Sequence, residues 1–150
     1  GARLLTGGAR VADGALARGS FYAPTILDNV RPGMRIEQEE IFGPVTDLIE
    51  ADSLEQAVAI LNGTPYGLSA SIFTRDINAA MEAIDDIETG IVYVNHGTIG
   101  AEVHLPFGGT KNTGNGHREG GTQVLDVFSE WKAVYIDFSG RLQRAQIDRE

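Results

Sequence analysis

The sequence predicts an α/β fold, a mainly parallel sheet with flanking helices, followed by a C-terminal strand suited to oligomerisation. Three observations predict it. Helical patterns near residues 53–61 and 76–84 alternate with β-rich runs at 46–51, 68–74 and 91–94, the spacing of βαβ units. Ile91-Val92-Tyr93-Val94 is wholly apolar, as expected of a strand buried on both faces. Near the end, Trp131 to Phe138 reads as a further strand with a strong apolar bias. Two segments follow: a body over residues 1–128, and a strand and tail over 129–150.

The chain has 150 residues, enough for one domain with a sizeable core. Its net charge of −9 argues against a nucleic-acid partner, because gripping phosphates needs clustered Lys and Arg. The acidity promotes solubility. No apolar run approaches bilayer length, so no membrane partner is expected, and no basic-then-apolar leader is visible. The chain starts at Gly1 rather than Met, so the native N-terminus is expected elsewhere. There are 0 cysteines, which removes disulfides, thiolate metal sites and any cysteine nucleophile. A cytoplasmic location fits this composition.

In chain order, Arg3-Leu4-Leu5-Thr6 and Phe21 to Leu27 read as short strands joined by a turn-rich stretch. Pro24 suggests an edge position for the second. Asn29 to Gly33 is a turn. Ser53 is a fitting N-cap for a helix carrying Leu54, Ala57, Val58 and Leu61 on one face, stopped by Asn62-Gly63. Leu68 to Thr74 alternates as a strand. Asp76 caps a second helix, with Ile77, Ala80, Met81 and Ile84 as its apolar stripe and Gly90 at its end. Asn95 to Gly121 is a long Gly-rich segment holding His96, His104 and His117, and loops of this length are usually functional. A helix is expected over about 122–128, and Leu142 to Asp148 forms a short polar tail.

The chain turns on Glu39-Glu40-Ile41-Phe42-Gly43-Pro44-Val45. Two carboxylates and an aromatic ring are presented on a rigid Gly-Pro corner before an apolar run. That arrangement can hold a polar group in a pocket, and it can equally be a solvated acidic turn. Gly108 to Gly116, with Lys111, invites a phosphate-loop reading in which backbone N–H groups cradle an anion. A phosphate loop needs Gly-Lys-Ser/Thr opening a helix directly after a strand, and the spacing here is wrong. A tight loop with positive φ and close backbone approach is the better reading. The three histidines show neither i, i+4 pairing nor an acidic partner at standard spacing, so loop histidines are expected and no metal site.

The corner resembles the Glu-Glu-Ile-Phe-Gly-Pro-Val signature of the aldehyde dehydrogenase superfamily without a mismatch. Asn62 to Asp76 is similar to that family's Asn-x-x-x-Tyr-Gly-Leu block, Gly90 to Asn95 to its Gly-x-Val-x-Val-Asn block, and Pro106 to Gly116 with Glu119 to its Pro-Phe-Gly-Gly-x-Lys block. The resemblance covers essentially the whole chain. It implies a catalytic-domain fold over residues 1–128 and oxidation of aldehydes to carboxylates with NAD or NADP. It also implies that Glu40 holds the nicotinamide ribose hydroxyls and Phe42 packs by the nicotinamide. By the same resemblance Phe107 lies near the substrate tunnel, and Gly100 and Ala101 offer backbone N–H groups to the carboxylate of a semialdehyde such as aminoadipic semialdehyde. Trp131 to Phe138 would join a neighbouring subunit's sheet, making a homo-oligomer.

In the family the catalytic cysteine, its general-base glutamate and the dinucleotide-binding domain all lie upstream. No residue of this chain can stand in for the nucleophile, so no catalytic residue is assigned. The expectation is a C-terminal portion that is inactive alone, binds cofactor weakly or not at all, and meets aldehyde substrate only within a complete enzyme. The alternatives are a stand-alone oligomerising module without enzymatic activity and, on the Gly-rich loop, a small nucleotide-binding protein.

Overall fold

The computed structural model describes residues 1–141. Strand β1 (Arg3–Thr6) leads through a 3-10 turn at Gly14–Arg18 to β2 (Thr25–Asp28), a single-turn helix α1 (Arg35–Gln38) and β3 (Val45–Asp47). Helix α2 (Leu54–Asn62), β4 (Tyr66–Gly67), β5 (Ser69–Ile72), helix α3 (Ile77–Asp86) and β6 (Ile91–Val94) follow. The chain continues through β7 (Thr110–Lys111) and a short helix α4 (Val124–Val127). The α/β class is as the sequence predicts.

The strands form three small sheets rather than one mainly parallel sheet. β2 lies between β1, antiparallel to it, and β3, parallel to it. β5 and β6 pair in parallel from Ser69↔Ile91 to Ile72↔Val94, and β4 pairs antiparallel with β7. Periodicity marks strands but leaves their edges unassigned, and pairings such as β4 with β7 are made across long sequence separations. Pro24 does not put β2 at an edge. It stands just outside the ladder, which begins where Thr25 N–H donates to the Pro44 carbonyl at 2.8 Å, so its missing donor costs nothing there.

The caps of the two longer helices are as read. Ser53 Oγ accepts from Gln56 N–H at 3.2 Å, and Asp76 Oδ1 accepts from Asn78 N–H at 2.9 Å. Each such cap contributes about 1 kcal/mol. The core lies where α2 and α3 cover one face of the β5–β6 pair. Ala70, Ala83 and Ile87 are buried together, with Leu54, Val58, Leu61, Ile72 and Val92 packed against them.

Two expectations change here. Ala80 and Ala83 form the buried side of α3, while Ile77 and Met81 face outward at 69% and 53% exposure. Alanine lets the helix approach the sheet closely, and that outweighs the larger side chains' hydrophobicity. Strand β6 is half-buried rather than buried on both faces, because the helices cover only the face carrying Val92.

Gly90 does not end α3, which stops at Asp86. It lies one turn later, donating its N–H to the Gly67 carbonyl at 3.0 Å. The segment Trp131 to Phe138 makes no ladder with any of the described residues, and all its side chains are exposed. A strand needs a hydrogen-bonded neighbour, and among the described residues none reaches it. The sequence-predicted tail at 142–148 lies outside the described residues.

Candidate active-site surface

The Glu-Glu corner follows α1 directly. Arg35 Nε donates to Glu39 Oε2 at 2.8 Å, an exposed i, i+4 pair that contributes little to stability. Glu40 is exposed and, among the described residues, has no side-chain partner, which leaves both carboxylate oxygens free to accept. Phe42 takes φ 55°, a left-handed conformation unusual for an aromatic residue. That backbone presents its ring to solvent at 92% exposure.

Glu40 stands between two cavities. One, of about 700 Å³, is lined on its apolar side by Leu4, Leu27, Ile36 and Val45. The other, of about 480 Å³, has a mixed lining that brings Glu37, Glu39 and Glu40 together with Thr64, Tyr66, Leu68, Asn112 and Thr113. Sequence reasoning missed the last five of these. They lie in the two blocks singled out as motifs, but only the β4–β7 pairing shows that the blocks meet beside the corner.

The Gly-rich loop owes its shape to close backbone approach. A Cβ at Gly90 would lie 1.7 Å from the Gly108 carbonyl oxygen, and one at Gly67 would lie 2.1 Å from Thr110 Oγ1. Thr113 Oγ1 accepts from Gly67 N–H at 2.8 Å, and Asn112 N–H donates to the Pro65 carbonyl at 3.0 Å. Lys111 does not point at an open anion cradle. Its Nζ donates to the Asn62 carbonyl at 2.6 Å and pairs with Glu88 Oε2 at 3.0 Å. The tight-loop reading therefore stands over the phosphate loop.

Phe107 is half-buried and forms an antiparallel bridge with Glu119. Gly100 has φ 88° and accepts the Tyr93 hydroxyl on its carbonyl at 2.6 Å, and Ala101 beside it is exposed. Phe42, Gly100, Ala101 and Phe107 line neither of the two cavities at Glu40. The structure does not bring the segment over 99–107 to the cavities at Glu40. His96 stacks on Tyr93 with ring centroids 5.7 Å apart. Among the described residues no cluster of His, Asp and Glu could hold a metal, and no helix is long and apolar enough to cross a membrane.

Beside the corner, Asp47 Oδ1 is buried without a hydrogen-bond partner. Burial, followed by the nearby Glu37 carboxylate, raises its pKa above the ordinary 3.8. On the opposite side of the sheet the Asn29 N–H, then Arg3, hold Asp28 below its ordinary range.

A carboxylate with both oxygens free, on a corner beside an exposed aromatic ring, can accept hydrogen bonds from a bound molecule. The family model for the aldehyde dehydrogenase family matches residues 1–134. The chain belongs to the aldehyde dehydrogenase family. It is 44% identical over 136 residues to the alpha-ketoglutaric semialdehyde dehydrogenase of Bacillus subtilis (strain 168), covering 91% of this chain and 28% of that protein. It is 46% identical over 130 residues to the salicylaldehyde dehydrogenase of Pseudomonas sp. (strain C18), covering 87% of this chain and 27% of that one. The crystal structure of the NAD-dependent aldehyde dehydrogenase from Sinorhizobium meliloti superposes with a TM-score of 0.86 at 38% identity, over 96% of this chain and 27% of that one. This aldehyde dehydrogenase family chain therefore spans little more than a quarter of the length of these relatives.

Proposed function

We propose that these residues form the later part of the catalytic domain of an NAD(P)-dependent aldehyde dehydrogenase, which oxidises an aldehyde to a carboxylate. The observation that carries this reading is the family match over residues 1–134 together with the free Glu40 carboxylate on its Gly-Pro corner. Glu40 would accept the nicotinamide ribose hydroxyls, since a carboxylate with two free oxygens can take both donors of a diol. Phe42 would pack beside the nicotinamide, which supplies the hydride acceptor when bound. Phe107 would border the substrate, and the backbone at Gly100 and Ala101 would meet its far end.

With 0 cysteines, the 150 residues supply cofactor and substrate contacts and no nucleophile, so aldehyde oxidation belongs to the whole polypeptide that carries them. Assays of that polypeptide with NAD, NADP and a panel of semialdehydes and aromatic aldehydes test the reading. Glu40→Gln should raise the cofactor KM about tenfold, the scale of a lost charged hydrogen bond. An unchanged cofactor KM removes Glu40 from the role. The isolated chain should show no turnover and no micromolar NAD binding by calorimetry.

Trp131 to Phe138 would pair with a second copy. Trp131, Tyr135 and Phe138 are 88%, 94% and 96% exposed, and such a patch favours association. Trp131→Ser should shift the oligomer towards smaller species in light scattering across a concentration series. A cytoplasmic location is part of the same reading, and fractionation of expressing cells checks it.

A further inference from the structure

A side-chain bond from the segment just before the Glu40 corner and one from the Gly-rich loop meet at one junction, the C-terminal end of α2. Gln38, two residues before Glu40, donates its Nε2 to the Gly63 carbonyl at 3.3 Å. Asn62 donates its Nδ2 to the Asp86 carbonyl at 2.8 Å and accepts Glu88 N–H on Oδ1 at 2.9 Å, tying α2 to the chain leaving α3. Lys111 closes the junction from the loop side by donating to the Asn62 carbonyl at 2.6 Å while pairing with Glu88 at 3.0 Å.

The Lys111 contact is a built one. Its side chain is 24% exposed but that of Glu88 is 61% exposed, so solvent screens the ion pair and the shorter bond to the Asn62 carbonyl carries the contact. The ammonium stands where the carbonyls of α2 run out of intrahelical partners and the helix dipole favours a cation. The residue adopts φ 51° to reach it, a backbone state that costs free energy in a non-glycine residue and persists only when neighbouring contacts hold it. Asn112 and Thr113, the next two residues, line the same cavity as Glu39 and Glu40.

We infer that Lys111 is a positioning residue: by clamping the loop to the end of α2 it sets the width of the cleft between the Glu40 corner and Asn112–Thr113. Lys111 touches no ligand in this role and acts through the backbone. Its kinetic consequence rests on the aldehyde dehydrogenase reading above, whereas its structural consequence does not.

The test uses the whole polypeptide as its gene encodes it, with Lys111→Met and Lys111→Arg compared by hydrogen exchange and by kinetics. In Lys111→Met, amide exchange should rise about tenfold over residues 110–113 and also over 35–40, a region Lys111 does not contact. The cofactor KM should rise about tenfold at nearly constant kcat, and Lys111→Arg should recover most of both. A rise confined to residues 110–113, or an unchanged cofactor KM in an active enzyme, overturns the inference. If the unaltered polypeptide oxidises no aldehyde, the proposed function fails instead, and the exchange at residues 35–40 still decides the role of Lys111.

Discussion

The unit over residues 54–94 and the unit over residues 3–47 each contain helix and parallel strand pairing, yet only the first closes on a core. In the first, Ala70, Ala80, Ala83 and Ile87 are at most 8% exposed, because two helices lie on one face of a strand pair. In the second the ladder is as regular, but α1 is a single turn and covers little. Only Thr25 and Val30 are buried there, and Leu4 and Leu5 remain about half exposed, at 52% and 49%. Backbone hydrogen bonding shapes a sheet, whereas stability comes from what is laid on its face. The candidate ligand surface lies where the open unit's Glu39 and Glu40 meet Thr64 and Tyr66 of the closed one, and Gln38 bonds across to the end of α2.

Substitutions should separate the two units sharply. The largest effect is expected from Gly90→Ala, where the new methyl would meet the Gly108 carbonyl at 1.7 Å. Backbone cannot yield as a side chain does, so a loss of about 3 kcal/mol or more is expected, with failure to accumulate as folded protein. Urea unfolding or soluble yield checks this, and a fully stable variant would show that the loop can swing clear. Next, Ile87→Ala should cost about 3 kcal/mol by leaving a cavity at the α3–sheet contact. The same change at the half-exposed Leu5 should cost less than about 1 kcal/mol. Equal losses at the two positions would break the comparison.

The smallest effect is one of pH. Asp47 has a raised native pKa, so the folded state holds its proton more tightly than the unfolded chain does. Above the raised value the buried charge costs the folded state its full penalty; the penalty shrinks as pH falls through the raised value and is gone below the ordinary 3.8. Asp47→Asn should therefore stabilise the protein modestly at pH 7, and the gain should vanish in acid. A gain that persists in acid would mean that the charge of Asp47 is not its cause.

Much of this was legible in the sequence. Ser53 and Asp76 announced their helices, because capping is local and is written within four residues. The Glu39–Val45 corner, the Asn62–Asp76 block and the Gly-rich loop were each visible as motifs. What sequence could not show was their meeting. The pairing of Tyr66 with Lys111 brings Thr64 and Thr113 to the same cavity, and nothing local to either segment specifies it. The apolar stripe of α3 was misread for a similar reason. Ile77 and Ala80 both satisfy helical periodicity, and the choice between them was made by how near the sheet the helix could come. The spacing around Lys111 spoke against an anion ligand, but the Asn62 carbonyl that takes its charge could not be read from sequence.

The Gly90–Gly108 contact divides the long loop into a root and a tip with opposite tolerances for change. At the root two backbones touch, and no side chain larger than hydrogen fits at Gly90. At the tip Ala101 and Glu102 stand exposed, and the side chains of Ile99 and Val103 are 87% and 86% exposed. Mutations there can accumulate without endangering the fold. A lineage, or a directed-evolution library, could therefore rewrite the tip while the root keeps each attempt foldable.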